Sequence, residues 1–382
     1  MADPVIYLDH QASTPCAAAV LEAMAPWWSE HCANPSSRGH RPGLLAAAAL
    51  EQARDAIAAG LGVTPAAVVF TSGATEANNL ALKGLAEAEL QTGGGRRHLI
   101  TLATEHRAVL DPLRYLNRHG FELSVLPVQA DGLVDLQQLE AVLRADTLLV
   151  SVMAANNEIG VLQPIEAIAR LCRPRGIRVH CDAAQAIGHI PLLPGDLGID
   201  LLSLSGHKLY GPKGIGALVV APGVPLAAQL HGGGQEQGLR PGTLPLPLIV
   251  GLAKALQLAL ADREERATRL GSLRDQLWQR LEGLGGVHRN GAATPRLAHN
   301  LNVWIEGVEA SALHRLLRQQ LAVSSGSACS AGEPSHVLQA LGLSRQQAAA
   351  AIRFGLGRDT TLAEVDQAAT ALSTAVSALR NR

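Results

Sequence analysis

The chain of 382 residues carries almost no net charge: 32 Lys and Arg stand against 33 Asp and Glu, for a formal −1. Charges this balanced, and mixed along the chain, supply no basic field for nucleic acid or an anionic membrane. Cysteine is scarce too. Five in a protein of this size do not make a disulfide framework, and in a reducing compartment they are thiols. No two of them show C-x-x-C spacing, which argues against a structural zinc or a thiolate-held cluster, so no metal is expected. No apolar run reaches the length of a membrane span, and the N-terminus lacks the basic-then-apolar build of a signal peptide. The expected location is the cytoplasm. Internal repeats are absent as well.

What the chain has is apolar mass, 47% of its residues, enough for two cores with a site between them. β-Branched and apolar runs predict strands near 67–70, 98–103, 122–128, 147–153, 177–182, 201–205 and 216–221. Helical spacing predicts helices between most of them, for example at 75–90, 107–119 and 164–174. This alternation argues for a mostly parallel seven-stranded sheet covered on both faces. After Pro247 a long helical tract runs through about 284, with Leu252, Leu256, Leu260, Leu270, Leu273 and Leu277 near helical spacing. A smaller α+β region follows, with a strand at 298–305, a helix at 309–320 and a final helix. The expected division is a large domain at 15–258 and a small one built from 1–14 and 259–382.

Three stretches carry chemistry. Residues 199–208 read Ile-Asp-Leu-Leu-Ser-Leu-Ser-Gly-His-Lys, so Lys208 follows a strand at the sheet's carboxyl edge, where open α/β sheets bind ligands. A lysine there can act as an amine nucleophile toward a carbonyl cofactor, although alone it reads more simply as a solvated loop lysine. Asp182 ends the strand Ile-Arg-Val-His-Cys-Asp and delivers a carboxylate to the same edge. That placement suits either a helix N-cap or the partner of a protonated pyridine nitrogen. Thr71-Ser72-Gly73-Ala74-Thr75 joins a short strand to a helix, and free N–H groups with hydroxyls at a helix start can hold an anion.

In this order the motifs resemble those of the cysteine desulfurases, in the class V aminotransferase branch of pyridoxal-phosphate enzymes. The resemblance runs almost end to end. It includes Tyr7-Leu8-Asp9, Thr104-Glu105-His106, Asn156-Asn157-Glu158-Ile159-Gly160, His231-Gly232-Gly233-Gly234 and Arg240-Pro241-Gly242-Thr243. His10-Gln11 and Pro241 depart from the residues more usual there. The resemblance implies the aspartate aminotransferase-like fold, pyridoxal 5'-phosphate on Lys208, and Asp182 at the ring nitrogen. It implies His106 stacked on the ring and able to relay protons, Gln185 on the phenolic oxygen, and Asn157 near that oxygen and the substrate carboxylate. Thr75, Ser205 and His207 would hold the phosphate beside Ala74, and Thr243 would reach the phosphate of a neighbouring subunit in a homodimer. Arg353, with Asn157 and Asn34, would bind the substrate L-cysteine; an arginine on an apolar strand suits a carboxylate bidentately, or else an internal salt bridge.

Cys329 lies in Ser-Ser-Gly-Ser-Ala-Cys-Ser-Ala-Gly-Glu-Pro, a run of small polar residues unlike the setting of a buried, inert thiol. It resembles the nucleophile of the long-loop desulfurases. That implies a Cys329 persulfide, L-alanine as product, and an acceptor or iron–sulfur scaffold protein, with Cys329 able to ligate a cluster in passing there. The same resemblance implies supply of sulfur to iron–sulfur cluster assembly or tRNA thiolation. The loop from 326 to 334 is expected to be mobile. Cys172 and Cys181, in apolar patterns, read as inert. Two alternatives keep Lys208 and dispense with Cys329, namely a cystine or selenocysteine lyase and a small amino-acid transaminase. A third is a sulfur carrier or scaffold that kept the fold and lost catalysis.

Overall fold

A computed structural model describes residues 5–325 and 334–381. All seven expected strands form one sheet, in the spatial order Val68–Thr71, Gly216–Val220, Leu201–Ser205, Arg178–Asp182, Thr147–Ser151, His98–Leu102 and Glu122–Leu126. Every pairing is parallel except those of Gly216–Val220, which runs against both of its neighbours. Two reversals restore direction, so Val68–Thr71 points the same way as the parallel strands. Its carboxyl end therefore opens on the same edge as theirs.

Period-two alternation builds the two faces. Phe70, Ile100, Val150, Leu202, Leu204 and Val219 point into one core, against Ala46 to Leu61 of the helix Arg41–Leu61 and Ile249 to Ala259 of Leu246–Ala261. Val69, Leu99, Leu149, Leu201 and Leu218 point into the other, under Leu80, Leu85, Val109 and Leu113. Strands buried on both sides read as continuous apolar runs, which is why they were visible from sequence.

A third core gathers Leu270, Leu273, Leu277 and Leu281 with Leu301, Val303, Ile352, Phe354 and Leu372. There Asn300–Ile305 pairs antiparallel with Ala351–Gly355 and Val287–Arg289, and Leu362–Arg380 covers them. The strand Ile6–Tyr7 pairs in parallel with Leu321–Ala322, and Leu8 is buried in this core. One expectation needs correction. The tract from 247 to 284 is two helices, Leu246–Ala261 and Arg263–Glu282, broken at Asp262, whose backbone leaves the helical region (φ −111°, ψ 12°). Among the described residues no helix is long and apolar enough to cross a membrane.

Candidate active site

Three strand ends at the carboxyl edge lead to functional groups of one cavity. Arg178–Asp182 ends on Asp182, which is 6% exposed. Its Oδ2 accepts from Asn78 Nδ2 at 2.8 Å and its Oδ1 from the Ala184 N–H at 3.0 Å. These two donors fix the orientation of the carboxylate. Leu201–Ser205 ends on Ser205, and a single turn, Gly206–Lys208, then carries the lysine. Lys208 Nζ donates to the Gln11 carbonyl and, at 2.9 Å, to that of Ala12. Val68–Thr71 leads through Ser72 and Gly73 into the helix Ala74–Gln91. Gly73 sits at φ 150°, where a side chain is strained, and a Cβ there would lie 3.8 Å from Ser205 Oγ.

These groups surround one cavity of about 460 Å³. Of the residues singled out from sequence, Ala74, Thr75, His106, Asn157, Asp182, Gln185, Ser205, His207, Lys208 and Arg353 all line it. Asn34 and Thr243 do not. Asn34 is exposed, and its Oδ1 accepts from the Ser36 N–H at 2.9 Å, closing a local turn. Thr243 is exposed on the loop after Arg240, whose guanidinium binds Glu76 at 2.8 Å. Cys329 and its neighbours at 326–333, with the expectation of mobility placed on them, lie outside the described residues.

His106 is the N-cap of the helix Arg107–Asn117: its Nδ1 accepts from the Ala108 N–H at 3.1 Å. That bond leaves the hydrogen of the neutral ring on Nε2. Burial lowers the ring's pKa; Asp182 opposes the shift and Lys208 adds to it. Burial, with Lys208 and Lys213 nearby, brings His207 down to about 4. Both rings are neutral at pH 7. Arg353 is 2% exposed, and its Nη2 pairs with Asp9 at 2.7 Å while Nη1 donates to the Asn157 carbonyl at 2.8 Å. Its internal salt bridge and its place on the cavity wall therefore coexist.

Three residues of the site were given no role of their own from sequence, although Glu105 and Gln11 stand in the motifs quoted above. Asn78, fully buried and directed at Asp182, lies one helical turn past Ala74, a spacing that brings both to one face. Glu105 is fully buried beside His106, and burial pushes its carboxyl well above the usual range. Gln11 lines the cavity, and its carbonyl also accepts from Gln185 Nε2 at 3.0 Å. The two buried cysteines behave as their setting suggested: burial lifts Cys172 to about 12 and Cys181 well above the usual thiol range.

The donor set suits pyridoxal phosphate. A hydrogen-bonded carboxylate lies on one wall for the ring nitrogen, and an amine extends from the adjoining strand end. A helix start with free N–H groups lies beside the Ser205 and His207 side chains for the phosphate. Asn157 Oδ1 is buried without a partner, an acceptor the cofactor's phenol or the substrate can satisfy.

Comparison with known proteins agrees with this geometry. The family model described as aminotransferase class-V matches residues 6–368. A cysteine desulfurase, IscS, of Dechloromonas aromatica is 47% identical over 98% of this chain and 93% of its own. A solved NifS-like protein superposes with a TM-score of 0.92 at 38% identity, covering 98% of this chain and all of that one. A structure of SspA in complex with cysteine gives 0.81 at 40% identity, over 94% of this chain and 100% of the other.

Proposed function

The chain belongs to the aminotransferase class-V family and is a pyridoxal-phosphate-dependent cysteine desulfurase, and from that premise we propose how its own residues divide the work. When bound, pyridoxal phosphate supplies an aldehyde that captures amines and a ring that withdraws electrons from the substrate's Cα. Lys208 would be the attachment point, its amine held by the Gln11 and Ala12 carbonyls. Asp182, fixed by Asn78 and Ala184, keeps a proton on the ring nitrogen. Lys208 moves the Cα proton, with His106 Nε2 as a second relay. Ala74, Thr75, Ser205 and His207 would hold the phosphate. Gln185 and Asn157 address the phenolic oxygen, and Arg353 the substrate carboxylate.

Cys329 then takes the sulfur of L-cysteine. The C–S bond breaks, an S–S bond forms at Cys329 Sγ, and the carbon product leaves as L-alanine. A downstream acceptor or scaffold protein receives the sulfur for iron–sulfur assembly or tRNA thiolation. The protein works in the cytoplasm as a homodimer. Supporting the dimer, Thr243 lies away from its own chain's cavity, so a role at a phosphate requires a second copy.

The observation that carries the reading is the convergence of Asp182, Lys208 and the helix start at Ala74 on one cavity. Alanine and sulfide or persulfide are quantified from L-cysteine for the wild type, Cys329→Ser and Lys208→Ala. We expect loss of turnover in both variants, and in Lys208→Ala loss of the visible band that borohydride bleaches in the wild type. Full alanine release by Cys329→Ser would instead establish a lyase.

A further inference from the structure

Residues of the cavity wall carry two buried donors, Gln11 Nε2 and Arg353 Nε, and two buried acceptors, Asn157 Oδ1 and, beside Asp182, Asn78 Oδ1, with no partner among the described residues. Gln11 is 1% exposed, and its amide orientation is determined by a chain of hydrogen bonds. Arg296 Nη1 donates to Asn300 Oδ1 at 3.3 Å, so Asn300 presents its Nδ2. That Nδ2 donates to the Glu158 carbonyl at 2.9 Å and to Gln11 Oε1 at 2.7 Å. Arginine has no acceptor, so neither amide can turn over without setting two donors face to face. Gln11 is thus obliged to keep its NH₂ unpartnered. Its side chain also packs over the strand that bears Arg353, since a Cβ on Gly355 would lie 3.2 Å from Gln11 Cγ.

The two donors, with the acceptor of Asn157, whose carbonyl takes a bond from Arg353, are the complement of an α-amino acid, whose carboxylate only accepts and whose nitrogen donates. The Arg353 charge is already matched by Asp9, and two of its three nitrogens are engaged. A carboxylate entering here needs a further donor. We propose that Gln11 supplies it, as a substrate-binding residue that holds the α-carboxylate beside Arg353 and so selects amino acids over simple amines. The proposal rests on the desulfurase reading and adds a determinant of recognition to it.

Gln11→Glu keeps the bond from Asn300 and the volume, and replaces the donor by an oxygen that repels a carboxylate. Gln11→Met removes the donor without adding charge, and covers the case in which the charged variant does not fold. The backbone carbonyl that holds Lys208 is unchanged in both. The holoenzymes are compared in KM and kcat with L-cysteine, in the Kd of the product L-alanine by calorimetry, and in cofactor content. A bond to a charged group present equally in ground and transition states predicts KM and the L-alanine Kd rising together, roughly 10- to 100-fold in Gln11→Met and further in Gln11→Glu. Expected kcat and cofactor content stay within about twofold. An unchanged L-alanine Kd overturns the proposal, as does a fall in kcat and cofactor content at unchanged KM, which marks a purely structural glutamine. A wild type that releases no alanine from L-cysteine overturns the desulfurase reading and this inference with it, whatever the variants do.

Discussion

His106 holds two positions at once, and two substitutions separate them. Its Nδ1 caps the helix Arg107–Asn117, and the same ring lines the cavity. In His106→Ala both are lost. Removing an N-cap acceptor costs about 1 kcal/mol, roughly 2 °C in melting temperature for a protein this large. Asparagine is among the best N-caps, so His106→Asn restores the bond to Ala108 and is expected to melt within about 1 °C of the wild type. Neither variant has a ring to relay protons, and loss of a positioned acid–base group costs about 10²- to 10⁴-fold in rate. Alanine release from L-cysteine should therefore fall alike in both, while only His106→Ala loses stability. The pH profile adds a second reading. Burial lowers the ring's pKa, so the neutral form predominates at pH 7 and is lost as pH falls below the ordinary histidine value. The acid limb of kcat/KM should follow that loss in the wild type and vanish in His106→Asn. Wild-type activity in His106→Asn would refute a role for the ring beyond the cap.

Two further outcomes concern stability. Burial holds His180 and His189 at about 4, below the ordinary 6.5, so between those values the unfolded chain binds more protons than the native one. Stability is then complete above about pH 6.5 and falls toward pH 4, by about 1.4 kcal/mol per pH unit for each histidine; urea midpoints at pH 7 and pH 5 measure it, and equal midpoints would contradict it. The Arg54 guanidinium grips buried Glu236 at 2.7 and 3.0 Å, and the same carboxylate accepts from the Phe70 N–H. Arg54→Met strands that charge and should cost about 3–5 kcal/mol, whereas Arg54→Met with Glu236→Leu should recover most of it; a single variant as stable as the double would show the pair unimportant.

Six of the seven strands were legible because they are buried on both faces and bounded by turn residues, and the largely exposed edge strand Glu122–Leu126 through its β-branched and apolar residues alone. Their order was not, since pairing is decided by contacts far apart in sequence. Nothing local in residues 216–220 says that this strand inserts antiparallel between Val68–Thr71 and Leu201–Ser205. The break at Asp262 escaped notice because leucines recur on both sides of it, and an aspartate does not by itself end a helix. In the site, the strand pattern placed Asp182 and Lys208 at the carboxyl edge, while the part given to Ser205 came only from the family resemblance. Asn78 and Gln11 were not legible, because each matters through a partner remote in sequence, Asp182 for one and Asn300 for the other.

The pairing of Gly216 has a consequence for how this enzyme can come into being. Gly216 lies opposite Thr71 on one side and Ser205 on the other, so one residue spans the gap between the phosphate loop and the lysine turn. Two ladder spacings set that gap at roughly 9–10 Å. A Cβ at Gly216 would meet the Leu204 carbonyl at 2.4 Å and Gly73 Cα at 2.7 Å, so only glycine lets both halves approach. During synthesis the chain possesses the Val68–Thr71 half well before the rivet, whereas the lysine turn Gly206–Lys208 directly precedes it. The pairing with Ser205 is local, but the pairing with Thr71 is distant in sequence and closes slowly, since its loop entropy is met before it contributes anything. Competence to capture a cofactor is therefore a late acquisition of the folding chain, gained when a five-residue strand slots in from the wrong direction.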